Sequence, residues 1–246
     1  MTAHTYQGVP GRARARRRSR GRGWLVLFLL AMLAVLALRT IQRLPENWKP
    51  WGHVRLDQKP TSLANLQLNI LARSPTACLA ALDRGNVAYT KVPDRPLENG
   101  CGISNGVRLA HAYSQPFEGT CGLAAALSWY QQALDNDAAA AFGAGAHLKR
   151  IDHVGSYACR NVNGAAEGPR SEHATANAID VTGFELSGGH TVSVARDYGK
   201  ATQAGRFLAL AHSDACRFFN AVLGPDYNAL HHDHFHLDLG FWSACR

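Results

Sequence analysis

The chain has 246 residues, 46% hydrophobic and 18% charged, enough to bury one good-sized core with at most a small subdomain. Its net charge of +8 is concentrated at one end: residues 1–22 hold seven arginines and no acid, while the other 224 residues carry 19 basic and 18 acidic side chains. The folded part is therefore nearly neutral, which excludes a broad nucleic-acid-binding surface as the source of the basic pI.

Directly after the arginines, Trp24–Leu38 (WLVLFLLAMLAVLAL) is apolar without a break. Its length falls between a signal-peptide core and a full membrane span. Gly23 and the Thr40-Ile41 edge extend it enough for a tilted or snorkelled span. The nearest small-x-small site, Val35-x-Ala37, would cut inside the run. The expectation is an uncleaved transmembrane signal anchor over residues 24–41, with a cleaved signal as the alternative. By the positive-inside rule, residues 1–23 form a basic cytoplasmic tail and everything beyond the anchor is exported.

Residues 42–60, with Pro45, Pro50 and Pro60 and no apolar periodicity, read as a linker, and 61–246 as the globular domain. SLANLQLNILAR (62–73) has helical spacing, and a short helix is expected around Cys78–Leu82. NVAYTKV (86–92) and GISNGVRLA (102–110) alternate like strands. TCGLAAALSWYQQAL (120–134) predicts an amphipathic helix ending near Asp135, ahead of an alanine- and glycine-rich stretch of low complexity. HLKRIDHVGSYAC (147–159) reads as a strand running into a loop. NAIDVTGFEL (177–186) and HTVSVA (190–195) read as neighbouring strands joined at Ser187-Gly188-Gly189. TQAGRFLALAHSDACRFFNAVL (202–223) predicts one long helix closed by Gly224-Pro225, and DHFHLDLGF (233–241) a final strand. Helices and strands mix without βαβ alternation, so the fold class is α+β with an antiparallel sheet flanked by helices.

All six cysteines lie beyond the apolar run, and no two form a C-x-x-C pair. On an exported domain they read as three disulfides rather than a thiolate metal site. Of the 15 possible pairings, Cys216–Cys245 is favoured, since it would tie the long helix to the chain end.

The densest chemistry lies at the final strand, where His231–Asp238 (HHDHFHLD) holds four of the 12 histidines. Strand alternation puts His234, His236 and Asp238 on one face and Phe235, Leu237 and Leu239 on the other. A second segment, SEHATANAIDVTGF (171–184), places His173 and Asp180 seven residues apart across small alanines. Asp180 sits among apolar neighbours, where a lone charge is costly and needs a partner. His173, Asp180 and His236 make two imidazoles and a carboxylate, a usual catalytic zinc set with its fourth position open. The same spacing also suits a turn-capping aspartate beside a loop histidine. His231 and His232, ahead of the strand, read as loop residues.

GSYACR, SEHATANAID and LHHDHFHLD, in this order, resemble the extensin-like C-terminal domain of bacterial proteins over roughly residues 60–246. That domain is similar in turn to zinc peptidases of the D-Ala-D-Ala carboxypeptidase, lysostaphin and hedgehog fold group. The resemblance implies Zn2+ held by His173, Asp180 and His236, with Ser171 opening the S-x-H-x(6)-D motif beside the substrate. It implies a role for His234 next to the metal's open position and for Arg160 in holding an oxyanion or a substrate carboxylate. Asp233, three residues before the last ligand, matches the general base of some relatives, yet strand alternation would point it away, so the base stays open between Asp233 and His234.

The implied function is a membrane-anchored zinc hydrolase in the periplasm, attached to the bacterial inner membrane by one N-terminal helix and cleaving peptide bonds of peptidoglycan. The competing reading is a non-catalytic, zinc-containing module that binds the cell wall, because a fold does not fix an activity. A nucleic-acid partner is not expected, since the arginine tail would lie in the cytoplasm, away from the domain.

Overall fold

The structure is a computed structural model that describes residues 20–49 and 52–246. Residues 1–19, most of the expected cytoplasmic tail, and Pro50 and Trp51 of the expected linker lie outside the described residues. The chain divides into two units, Met1–Leu44 and Pro45–Arg246. In the first, helix α1 (Arg20–Gln42) includes the 20-residue stretch Gly23–Gln42, whose most apolar 18 residues have a mean hydropathy of 2.4 and are unburied. It is long and apolar enough to cross a membrane.

The second unit mixes helices and small, mostly antiparallel sheets. Numbered along the chain, its helices are α2 (Ala64–Ala72), α3 (Pro75–Arg84), α4 (Cys121–Phe142), α5 (Val194–Asp197) and α6 (Gln203–Ala215). A three-stranded sheet pairs β1 (Thr90–Lys91), β4 (Gly106–Leu109) and β5 (Phe117–Thr120), in that order. A hairpin pairs β2 (Arg95–Glu98) with β3 (Cys101–Ile103). The main sheet runs β11 (Ala244–Cys245), β9 (Ala221–Leu223), β10 (Phe235–Asp238), β7 (Ala178–Leu186) and β6 (Leu148–His153), with β8 (Thr191–Ser193) also paired to β7. Its pairs are antiparallel except β11 with β9.

Helix α4 runs through the core. The Thr120 hydroxyl accepts from Leu123 N at 3.2 Å and caps its start, and Gly143, at φ 104, ends it. Between these caps, Leu123, Leu127, Trp129, Tyr130 and Leu134 are fully buried, and the Tyr130 hydroxyl donates to the Ala211 carbonyl of α6 at 3.1 Å. The alanines of the low-complexity stretch are good helix formers. They carry α4 two turns past the expected end near Asp135, to Phe142.

Three other expectations change. The linker reading of 42–60 fails from Pro45 onward: Val54 and Leu56 are core residues, and the buried Gln67 amide donates to the Asn47 and Lys49 carbonyls. The long helix expected over 202–223 stops at Ala215. Phe218 and Phe219 are buried beyond it, and Ala221–Leu223 joins the sheet as β9, because hydrogen bonds to β10 and β11 satisfy that backbone in the core. The 102–110 run is two strands, broken where Asn105 takes φ 52.

All six cysteines are paired, as Cys78–Cys121, Cys101–Cys159 and Cys216–Cys245. The last ties the end of α6 to β11, as expected. The second ties β3 to the loop after β6, one residue ahead of Arg160.

Candidate metal centre

The centre is built on adjacent strands. In the register of β10 on β7, His236 stands opposite Asp180, so their side chains share one face of the sheet. The other face of β10 carries Phe235 and Leu237 into the core, and both are fully buried. The alternation expected from the sequence holds here. His173 arrives from a different element, a 3-10 turn over Glu172–Thr175 capped by Ser171, whose hydroxyl accepts from His173 N at 3.3 Å. The turn ends at Ala176 in the left-handed region, φ 53, a conformation that costs a non-glycine residue about 1 kcal/mol. Ala174, Ala176 and Ala178 are completely buried, and larger side chains would hold the turn away from β7.

Three donor atoms converge. Asp180 Oδ1 lies 3.1 Å from His173 Nε2 and 3.0 Å from His236 Nδ1, and the two ring nitrogens are 3.2 Å apart. The far nitrogen of each ring is already committed. His173 Nδ1–H donates to the Ser156 carbonyl at 3.0 Å, and His236 Nε2–H donates to Asp238 Oδ2 at 2.9 Å. Carbonyl and carboxylate oxygens only accept, so each ring keeps a lone pair facing the cluster in its neutral form. Asp238 is thus the partner that orients His236.

Two imidazole lone pairs and a carboxylate oxygen at these distances repel one another unless a proton or a metal ion lies between them. Burial opposes charge on Asp180, but hydrogen bonds from His173 and His236 outweigh it and hold the carboxyl far below the usual carboxylate range. Burial opposes charge on His236 as well; Asp180 and Asp238 overcome it and hold the imidazole up at about 9. A proton on His236 Nδ1 serves only one of the three contacts, whereas a metal ion serves all three. Tetrahedral coordination at ligand bonds of about 2.0–2.2 Å sets donor–donor edges of roughly 3.3–3.6 Å, which a slight expansion of the observed triangle reaches. The residues fit a small divalent cation, and binding it would displace the proton.

Asp180 and His236 line a cavity of about 510 Å³ together with Arg160, Ser171, His231 and His234, while His173 is buried outside its lining. Arg160 Nη2 lies 3.7 Å from Asp180 Oδ2, with the side chain 42% exposed, so the guanidinium reaches both the cluster and solvent. His234 Nδ1–H donates to Asp233 Oδ1 at 2.8 Å, which leaves Nε2 turned toward the cluster, 3.6 Å from Asp180 Oδ1. The strand begins only at Phe235, and Asp233 sits in the turn before it. Alternation does not reach Asp233, and the carboxylate expected to point away sits beside His234.

The loop reading of His231 also changes. It lies in a 3-10 turn, 8% exposed, its ring 5.2 Å from that of His234 and 6.0 Å from that of His236. Asn228 Oδ1 accepts from both Leu230 N and His231 Nδ1, which fixes the ring. Burial, more than any neighbouring charge, pushes the His231 imidazole down to about 4. It is therefore neutral at physiological pH and presents an acceptor nitrogen. The signal in the sequence was Asn228-x-x-His231, a capping asparagine that ties the next turn. His232 is exposed, as expected.

Neither a curated protein nor a solved structure matches the chain. A family pattern does: the pattern described as extensin-like protein C-terminus matches residues 76–246, which takes in α4, the main sheet and every residue of the cluster. The chain belongs to the family of extensin-like protein C-termini.

Proposed function

We propose that the protein is a membrane-anchored periplasmic zinc hydrolase that cleaves peptide bonds of peptidoglycan, with a domain of the hedgehog and D-Ala-D-Ala peptidase kind. The observation that carries the reading is the three buried lone-pair atoms of His173, Asp180 and His236, meeting at the wall of an open cavity with an oriented histidine beside them. Zinc bound there would polarise the scissile carbonyl as a Lewis acid. His234, its Nδ1 held by Asp233, has Nε2 free to take a proton from the attacking water and return it to the leaving amine. That assigns the base to His234 and an orienting role to Asp233. Arg160 has a half-exposed side chain, 3.7 Å from Asp180, whose fork of donors would serve the developing oxyanion. Ser171 accepts from His173 N in capping that turn, and its hydroxyl keeps a hydrogen to donate to a substrate in the cavity it lines. The apolar α1 and three disulfides support an anchor in the inner membrane and an oxidising compartment.

The alternative, a zinc-containing wall-binding module without catalysis, is favoured by one feature. Glu172, the one glutamate lining the cavity, is hydrogen-bonded to Asn177 rather than aimed at the cluster. The deciding experiment incubates the full chain, in detergent, with purified peptidoglycan, with zinc and with a chelator. Mass spectrometry of the soluble products should show zinc-dependent release of fragments with new amino termini. Intact peptidoglycan at every metal loading would leave the module reading in place.

A further inference from the structure

Two features of the domain have no role in the chemistry above. The first is a row of exposed aromatics at the cavity mouth: Phe241 is fully exposed, Trp242 55% and Tyr227 39%, with the Tyr227 and Trp242 rings 6.3 Å apart. The residues Gly240-Phe241-Trp242 lie just past Leu239, the residue after the strand that carries His236. Exposed aromatic clusters are costly to leave in water and mark contact surfaces. The second is a cleft of about 610 Å³ lined by Asn69, Ser104, Asn105, Thr120, Asn177 and Asn220. It shares Glu172, Gly240 and Phe241 with the metal cavity, so the two hollows adjoin, with Phe241 at their common edge.

We propose that this cleft is a glycan subsite: the sugar strand of peptidoglycan lies along its asparagines and stacks on Phe241 and Trp242, which presents its peptide stem to the metal cavity. The proposal rests on peptidoglycan being the partner, but not on catalysis. A flat ring with a negative face accepts the C–H face of a pyranose, and amide and hydroxyl groups match its hydroxyl and acetamido substituents. The cleft lining carries one cation, Arg73, and one carboxylate, Glu172, and its other polar groups are amides and hydroxyls; with no excess of positive charge it suits a glycan better than a phosphate or an anionic lipid surface. The asparagines are held in place beforehand: Asn220 Nδ2 donates to Asn69 Oδ1 at 2.9 Å and to the Gly240 carbonyl at 2.7 Å, which ties the cleft floor to the aromatic segment. Little ordering is then needed on binding.

The test measures, by calorimetry, binding of peptide-free glycan strands to the full chain in detergent with chelator present. Parent protein should bind, and Phe241→Ala/Trp242→Ala should weaken binding about tenfold or more, as two lost stacking faces imply. Ser104→Trp, which fills the cleft from its exposed wall, should weaken binding without touching the aromatics. Zinc content and melting temperature of the variants report their folding. Glycan binding without any hydrolysis would support the subsite and defeat the peptidase reading. Zinc-dependent hydrolysis of free stem peptides with no glycan binding would overturn the subsite and leave that reading intact. In vesicles containing brominated lipid, a lower degree of quenching in Trp242→Phe than in parent would place the aromatics in the membrane and overturn the subsite as well.

Discussion

Asp180 and Asp137 are both buried, 8% and 6% exposed, and they behave in opposite ways. Asp180, on β7, has imidazole nitrogens on two sides and Arg160 on a third, and its carboxyl is held far below the ordinary range. Asp137, on α4, has an Oδ2 with no hydrogen-bond partner, and burial together with the charge of Asp214 pushes its carboxyl up to about 7, against the pull of Arg217. Burial alone therefore does not mark a functional carboxylate. The mark is a set of partners whose lone pairs, like its own, are directed at one point and cannot be satisfied by each other.

The largest expected effect breaks the Asp180 side of that contrast. Asp180→Ala or His236→Ala removes one of three donors and should release nearly all zinc, as read by elemental analysis of purified protein. His173→Ala should do the same. A variant that keeps parental zinc would show that the ion sits elsewhere, while no zinc in the parent would remove the metal from the reading altogether. His234→Ala should keep the metal and lose hydrolysis by about 10²–10⁴-fold, the usual worth of a positioned proton acceptor. Asp233→Asn leaves Nε2 in place but weakens its orientation, so its loss should be smaller. His231→Ala should fall between parent and His234→Ala, because the ring packs on that of His234 without reaching the donors. Asp238→Ala frees the His236 ring from its outer partner, and should cost about 10–100-fold in zinc affinity, measured by chelator competition.

The donors of this site were legible from the sequence, and their supports were not. Alternation along β10 separates His236 from Phe235 and Leu237, and the alanines around His173 announce a tight turn; both are local patterns that a short window captures. The Asp233–His234 bond, by contrast, depends on where the strand begins, and two residues of difference reverse the direction assigned to Asp233. His231 reads as a loop residue because neither strand nor helix periodicity assigns it a face; its burial comes from a 3-10 turn that folds the rings of Tyr227, His234 and His236 around it. The same limit explains β9. The sequence from Gln203 to Leu223 is apolar enough to continue as a helix, and what stops it is the edge of a sheet formed by residues further along. Helix α4 shows the reverse error, since its alanine-rich last turns carry helix propensity that low complexity masked.

The smallest expected effect tests the Asp137 side. With its carboxyl raised to about 7 in the folded protein, against an ordinary value near 3.8, Asp137 binds its proton more tightly folded than unfolded. Its contribution to stability is thus fully present below about pH 4 and is lost as pH rises through about 7, where the buried group must ionise without a partner for Oδ2. Asp137→Asn removes the titration and keeps the shape. Melting temperatures taken from pH 4 to pH 8 should show the parent losing stability relative to the variant across that window, with the gap widest at pH 8. The metal cluster offers no competing explanation if both proteins are compared with chelator present, because Asp180 and His236 then titrate identically in the two. A gap that stays constant with pH would mean Asp137 is ionised throughout, and the contrast between the two carboxylates would reduce to their hydrogen bonds alone.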